Sequence, residues 1–235
     1  MTKNIDKIRD AEKASHIEIY STAKLFESGS WLAKPVKTIM DILPLFENYQ
    51  SLDVLDLGCG VGRNCIPIAQ KFSNIPCRID CVDILDFAID ELNKNSTRYN
   101  VENSVNGIIS SIDEFKIEQN KYDFVIAVSA LEHINSEKAF ESKLKEIENG
   151  TKKNGIVCMI INSEIIEKNK NTGENLEAQF EVNLPTSDLS EMLKKVFENW
   201  EILKQTIVSQ RYDIPRENCI ADLSTNVVTI VARKG

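Results

Sequence analysis

Short, nearly continuous apolar runs alternate with amphipathic stretches through the middle of the chain. Residues 52–57, 78–82, 105–109, 124–128 and 156–161 have the length and apolar density of strands. The last two runs are almost unbroken, as parallel strands covered on both faces are. Between them, 63–72 and 86–98 read as helices, and 136–148 predicts a helix capped by Ser136. In that helix Phe140, Leu144 and Ile147 share one face, and Asn149-Gly150 ends it. The alternation predicts a doubly wound, Rossmann-like α/β fold: a seven-stranded, mostly parallel sheet with an antiparallel edge strand and helices on both faces. The two ends depart from this rhythm. Up to about Pro44 the chain reads as helical and charge-rich, with Val36, Ile39, Met40 and Leu43 spaced along one helix face. Residues 162–184 are polar and read as a long loop, a length usually tied to function. Leu189, Met192, Leu193, Val196 and Phe197 then mark an amphipathic helix, and 200–208 and 226–232 read as two closing strands.

A length of 235 residues fits one domain. The reading divides it into a helical N-terminal cap (1–48), a core (49–161) and a closing part (162–235). With 42% hydrophobic and 27% charged residues the chain falls in the ordinary soluble globular class. Its 36 acidic and 28 basic side chains give a net charge of −8, which argues against nucleic acid as a partner, since phosphate backbones are bound by clustered Lys and Arg. The opening Met-Thr-Lys-Asn-Ile-Asp-Lys carries charges where a signal peptide needs an apolar core, and no 18 apolar residues run together. The expected location is cytoplasmic, with no membrane association. The six Cys form no C-x-x-C pair, no third Cys follows Cys77 and Cys81 closely, and His16 and His133 lie far apart. No metal site is expected, and the cysteines read as reduced thiols, mostly in the core.

The informative segment runs from Leu52 to Asn64, a hydrophobic strand leading into a turn with Gly58, Gly60 and Gly62 and then a helix. Three of only nine glycines fall within these five positions. Pro67 is tolerated only in the first turn of a helix, so the helix must start close to residues 62–64. Its amides and dipole then face whatever the glycines allow to approach. The dinucleotide fingerprint G-x-G-x-x-G requires Gly or Ala where this chain has Arg63. Asp56, two residues before the first glycine, is a poor choice against a pyrophosphate and a good one against a cationic, amino-acid-like ligand.

These landmarks resemble the class I S-adenosylmethionine-dependent methyltransferases, whose first motif is an acidic residue followed by G-x-G-x-G. The resemblance spans residues 52–161 and implies S-adenosylmethionine as the cofactor. Carried over, Asp56 holds the cofactor's ammonium, and the loop through Gly58, Cys59 and Gly60 to Arg63 and Asn64 passes along its methionine part. Asp83, at the end of the strand Ile79-Asp80-Cys81-Val82, matches the acidic residue that takes the ribose hydroxyls, with Ile84 against the adenine. A carboxylate supplies the two acceptors that two neighbouring hydroxyls need. Ser111 stands where many members have Asp, Ile112 fits the apolar position beside it, and Val128 ends the fourth strand. Ser129-Ala130-Leu131-Glu132-His133 looks like the family's stretch at the mouth of the cofactor and substrate site, and it is not the motif of the amino-methylating DNA enzymes. Within the superfamily the chain resembles the tellurite-resistance methyltransferases through Gly-Cys-Gly-x-Gly-Arg-Asn and through Trp200-Glu201-Ile202-Leu203, Gln210-Arg211-Tyr212-Asp213 and Val231-Ala232-Arg233-Lys234. Those members carry His where this chain has Gln210.

The resemblance implies methyl transfer to a small-molecule acceptor, anionic or chalcogen-containing if the narrower likeness holds. His133 and Arg211 are the catalytic candidates, and Tyr20 and Trp31 the substrate or lid candidates. Glu132 reads as a solvated or locally bonded side chain. Two other readings stay open: an NAD(P)-dependent oxidoreductase on a similar sheet, and a non-catalytic regulator that binds S-adenosylmethionine.

Overall fold

The computed structural model describes residues 17, 20–216 and 218–235. His16 and most of the predicted helical stretch before Tyr20 lie outside them. Ahead of the sheet, the described residues hold helix at 20–22 and in α1 (Lys37–Ile42), with 3₁₀ turns at Trp31–Ala33 and Leu43–Phe46. The continuous helical reading up to Pro44 is therefore corrected for 23–36. Gly29 takes a positive φ of 117°, and Pro35 and Pro44 interrupt any longer helix. Ile39 and Leu43 are nevertheless buried, as their spacing predicts.

The core then follows the predicted alternation: β1 (Leu52–Leu57), α2 (Cys65–Lys71), β2 (Cys77–Asp83), α3 (Asp86–Arg98), β3 (Val105–Ile109), β4 (Tyr122–Val128), α4 (Glu137–Gly150) and β5 (Thr151–Asn169). It closes with β6 (Asn175–Leu176), α5 (Thr186–Val196), β7 (Glu201–Arg216) and β8 (Cys219–Arg233). Among the described residues the sheet has eight strands in the order β3-β2-β1-β4-β5-β8-β7, with the two-residue β6 alongside β5. β1 to β5 pair in parallel, whereas β8 runs antiparallel to both β5 and β7. The seven-stranded expectation holds apart from β6. After β3 the chain crosses back to place β4 on the other side of β1, which makes the carboxyl ends of β1 and β4 the topological switch point.

One apolar core lies on each face. Cys65, Ile66, Leu92, Ile39 and Phe46 join the first, and Phe140, Leu144, Leu189 and Phe197 the second. Both are needed because β1 and β4 are buried along nearly their whole length.

The predicted loop over 162–184 is overturned in its first third. β5 continues to Asn169, with Ile161, Ser163, Ile165 and Glu167 buried on alternate positions. Period 2 is present, but Ser163 and Glu167 occupy two of the inward positions, so hydropathy conceals it. The closing strands are likewise longer than 200–208 and 226–232. β7 and β8 form a hairpin whose far half, with the end of β5, makes a three-stranded arm beyond the end of β4.

Candidate active site

The glycine loop begins where β1 ends. Gly58, Gly60 and Gly62 adopt φ of 72°, 53° and 99°, a region side chains rarely tolerate. A Cβ on Gly58 would stand 2.4 Å from the Ala130 Cβ, and one on Gly60 would stand 2.8 Å from the Tyr20 hydroxyl. The amides of Gly58 and Cys59 donate to the Val82 carbonyl, at 2.8 and 3.1 Å. Gly60 N–H donates to Asp83 Oδ2 at 2.9 Å, while Asp83 Oδ1 accepts from Leu85 N–H at 3.0 Å. Asp83 thus ties the loop to the end of β2. Cys59 is buried, its thiol 3.5 Å from the Gly60 carbonyl and pushed up to about 12 chiefly by burial. Asp56 is buried in β1 just before the loop, and its Oδ2 has no hydrogen-bond partner among the described residues. Burial, and then the nearby charge of Asp83, raises its carboxyl to about 7.

The segment before α1 reaches the same loop. Tyr20 packs on Gly60 and meets Trp31 edge to face, with ring centroids 6.0 Å apart. The Arg63 guanidinium lies over the Trp31 ring at 5.3 Å, and its Nε donates to the Lys34 carbonyl at 2.7 Å. Asn64 Oδ1 accepts from Val36 N–H at 3.1 Å. Around the rim, Ile84 is half exposed beside Asp83. The Ser111 hydroxyl accepts from Glu114 N–H at 3.3 Å, and Ile112 and Val128 are partly buried against the second and first cores.

The end of β4 supplies the second half of the site. Ser129 takes a positive φ of 48° and turns the chain into a 3₁₀ turn, Leu131–His133. His133 Nδ1 lies 3.0 Å from Glu181 Oε2, and the Phe180 ring stacks on the imidazole at 5.1 Å. Glu132 points the other way, and only 1% of it is exposed. Its Oε1 accepts from the Asn162 side-chain amide at 2.5 Å and from Asn162 N–H at 3.3 Å, whereas Oε2 has no hydrogen-bond partner among the described residues. Burial raises its carboxyl above the ordinary range.

Residues 49–228 match the family model described as "Methyltransferase domain". The chain belongs to the methyltransferase domain family. That family speaks against the oxidoreductase reading. A ubiquinone biosynthesis O-methyltransferase from Rickettsia canadensis is 34% identical over 101 residues, 40% of this chain. This chain spans 37% of that relative's own length. TehB from Haemophilus influenzae has a similar fold, with a TM-score of 0.61 at 20% identity over 83% of this chain and 62% of its own. A SAM-dependent methyltransferase from Methanosarcina mazei shares the fold with a TM-score of 0.56 at 15% identity, over 81% and 97% of the two chains.

In this member of the family the glycine loop, Asp56, Asp83, Tyr20, Trp31 and Arg63 come together, and His133 stands at the neighbouring strand end. Arg211 does not join them. It lies on the outer strand of the arm, three-quarters exposed, with its guanidinium on both carboxylate oxygens of Asp222. Its register partners, Ser224 and then Ile166, stand six positions beyond Ile160, where β4 ends, or roughly 15–20 Å along the strand. Of the two readings of Glu132, solvated or locally bonded, the first is corrected: the side chain is buried and bonded to Asn162. Glu181, Phe180 and Asn162 were not legible as site residues. Glu181 follows His133 by 48 positions in a polar stretch with no motif around it, and only the return of that stretch beside β5 brings the two together. The residues present fit a cationic, amino-acid-bearing cofactor: the buried Asp56 Oδ2, without a hydrogen-bond partner among the described residues, stands beside the glycine loop at the carboxyl end of β1. Among the described residues no group of His, Cys, Asp and Glu could hold a metal, and no helix is long and apolar enough to cross a membrane.

Proposed function

We propose that this methyltransferase methylates an ionisable O–H of a small molecule, with His133 as general base. The observation that carries the reading is the contact of 3.0 Å between His133 Nδ1 and Glu181 Oε2. A carboxylate there fixes the Nδ1–H tautomer, makes Nε2 the basic nitrogen and stabilises the imidazolium formed when Nε2 takes the acceptor's proton. S-adenosylmethionine, when bound, supplies an activated methyl group on a sulfonium centre. Asp56 receives its ammonium, Asp83 its ribose hydroxyls, and Ile84 and Ile112 flank the adenine with Ser111. The chain's remaining task is to hold the acceptor oxygen about 3 Å from the methyl carbon and to exclude water. Tyr20 and Trp31, packed against the loop with Arg63, serve as that cover.

An O–H acceptor also agrees with the name of the Rickettsia canadensis relative. The narrower likeness to tellurite-resistance methyltransferases rests on the loop sequence, the closing motifs and one neighbour in fold, TehB. Arg211, placed on the arm and paired with Asp222, lends this likeness no support. The test is methyl transfer from isotope-labelled S-adenosylmethionine to a panel of phenols, hydroxy acids, thiols, selenite and tellurite. Transfer to a phenol or hydroxy acid that drops about 10²- to 10⁴-fold in His133→Asn, with cofactor binding intact, is the expected result. Transfer confined to thiols or oxyanions and indifferent to His133→Asn would replace this reading with the chalcogen one.

A further inference from the structure

Phe180 and Glu181 lie in an irregular stretch between β6 and α5, so no helix or ladder fixes Glu181 against His133. Among the described residues an anchor stands on each side of it. After the pair, Val182 N–H donates to the Glu132 carbonyl at 2.9 Å, and the Asn183 side chain bonds both the N–H and the carbonyl of Ile165, each at 2.8 Å. Before the pair stands Gln179. Its N–H donates to Glu167 Oε1 at 3.1 Å, and its side-chain oxygen accepts from Arg216 at 2.7 Å. Arg216 places its other donors on Glu167, Nε on Oε2 at 2.9 Å and the second terminal nitrogen on Oε1 at 2.6 Å. The Glu167 carboxylate is 1% exposed and the Arg216 side chain 17%. A planar fork can meet both carboxylate oxygens and a third acceptor at fixed angles, which an ammonium cannot.

We infer that Arg216 and Glu167, acting through Gln179, form a clamp that positions Glu181 on His133. They are positioning residues drawn from β7 and β5, and they never touch the acceptor. The inference rests on the general-base reading for its consequence in catalysis, while the clamp itself is a claim about His133 and Glu181. The hairpin thereby gains a part in the reaction through Arg216, the last residue of β7.

The test follows the titration of the His133 imidazole by NMR in the whole chain. The chain has two His, so His133→Gln assigns the signal. Glu181→Gln is expected to lower the midpoint, because a carboxylate beside the ring favours its charged form. Gln179→Met is expected to lower it by at least about half as much, and the double variant to add nothing beyond Glu181→Gln alone. Gln179→Glu, which keeps an oxygen for Arg216, restores the wild-type midpoint. Arg216→Lys keeps a charge for Glu167, gives up the fork and repeats the shift if Gln179→Met fails to fold. Any of three results overturns the clamp: Gln179→Met without effect while Glu181→Gln shifts the midpoint, full additivity of the two, or no shift in either. The general-base reading answers separately to the turnover of His133→Asn, so either claim can fall without the other.

Discussion

The Asp56 carboxyl titrates at about 7 in the folded chain, against 3.8 for an ordinary aspartate. The folded state therefore holds this proton more tightly than the unfolded one. The stability it contributes is complete below about pH 4 and is lost as the pH rises through 7. Protein prepared without cofactor should show a Tm that falls between pH 5 and 8, and Asp56→Asn should flatten that slope in a thermal scan. If Asp56 receives the ammonium of S-adenosylmethionine, binding below pH 7 must also release a proton. Calorimetry in two buffers of different ionisation enthalpy would read the release in the wild type and none in Asp56→Asn. At Gly58 the consequence is steric. Gly58→Ala places a carbon 2.4 Å from the Ala130 Cβ at a positive φ, so it should cost about 1–3 kcal/mol in denaturant unfolding and weaken cofactor binding. These loop residues were legible because their chemistry is local, carboxylate, glycines and helix start within a dozen positions. Glu181 and Asn162 were not, because each acquires its meaning from a partner about thirty to fifty positions away.

Elements were legible in proportion to how cleanly each followed one period. α4 was readable to its cap: Ser136 Oγ accepts from Ala139 N–H at 3.2 Å, as the sequence predicts. Ser136→Ala should cost about 1 kcal/mol by denaturant titration and leave cofactor affinity unchanged, since the cap lies outside the loop. The far part of β5 was hidden by polar residues at inward positions. Ser163 is satisfied there by Thr186 of α5 and by the Asn226 carbonyl of β8, and Glu167 by Arg216 of β7. A buried Glu in a polar stretch carries no sign in hydropathy of the arginine that will meet it.

Over the whole molecule, the order of strands sets the carboxyl ends of β1, β2 and β4 side by side at one edge of the sheet, with β5 standing between β4 and the β7–β8 hairpin. A cofactor bound at that edge stabilises the folded state by mass action, about 2.7 kcal/mol at one hundred times its Kd. For a chain of this size the Tm should rise by roughly 5–10 °C. Hydrogen exchange should slow at the carboxyl ends of β1, β2 and β4 more than along the hairpin. The doubly wound order was readable from alternation alone, whereas the arm was not, because its strands are long, polar and half exposed. The two cores are also chemically unlike. All five buried cysteines, Cys59, Cys65, Cys77, Cys81 and Cys158, belong to the first core, and Cys219 is only half covered. A disulfide reagent should therefore label one thiol at once and the other five only when that face opens. The molecule carries a native gauge of breathing on one side of its sheet, and cofactor should slow that gauge first at Cys59.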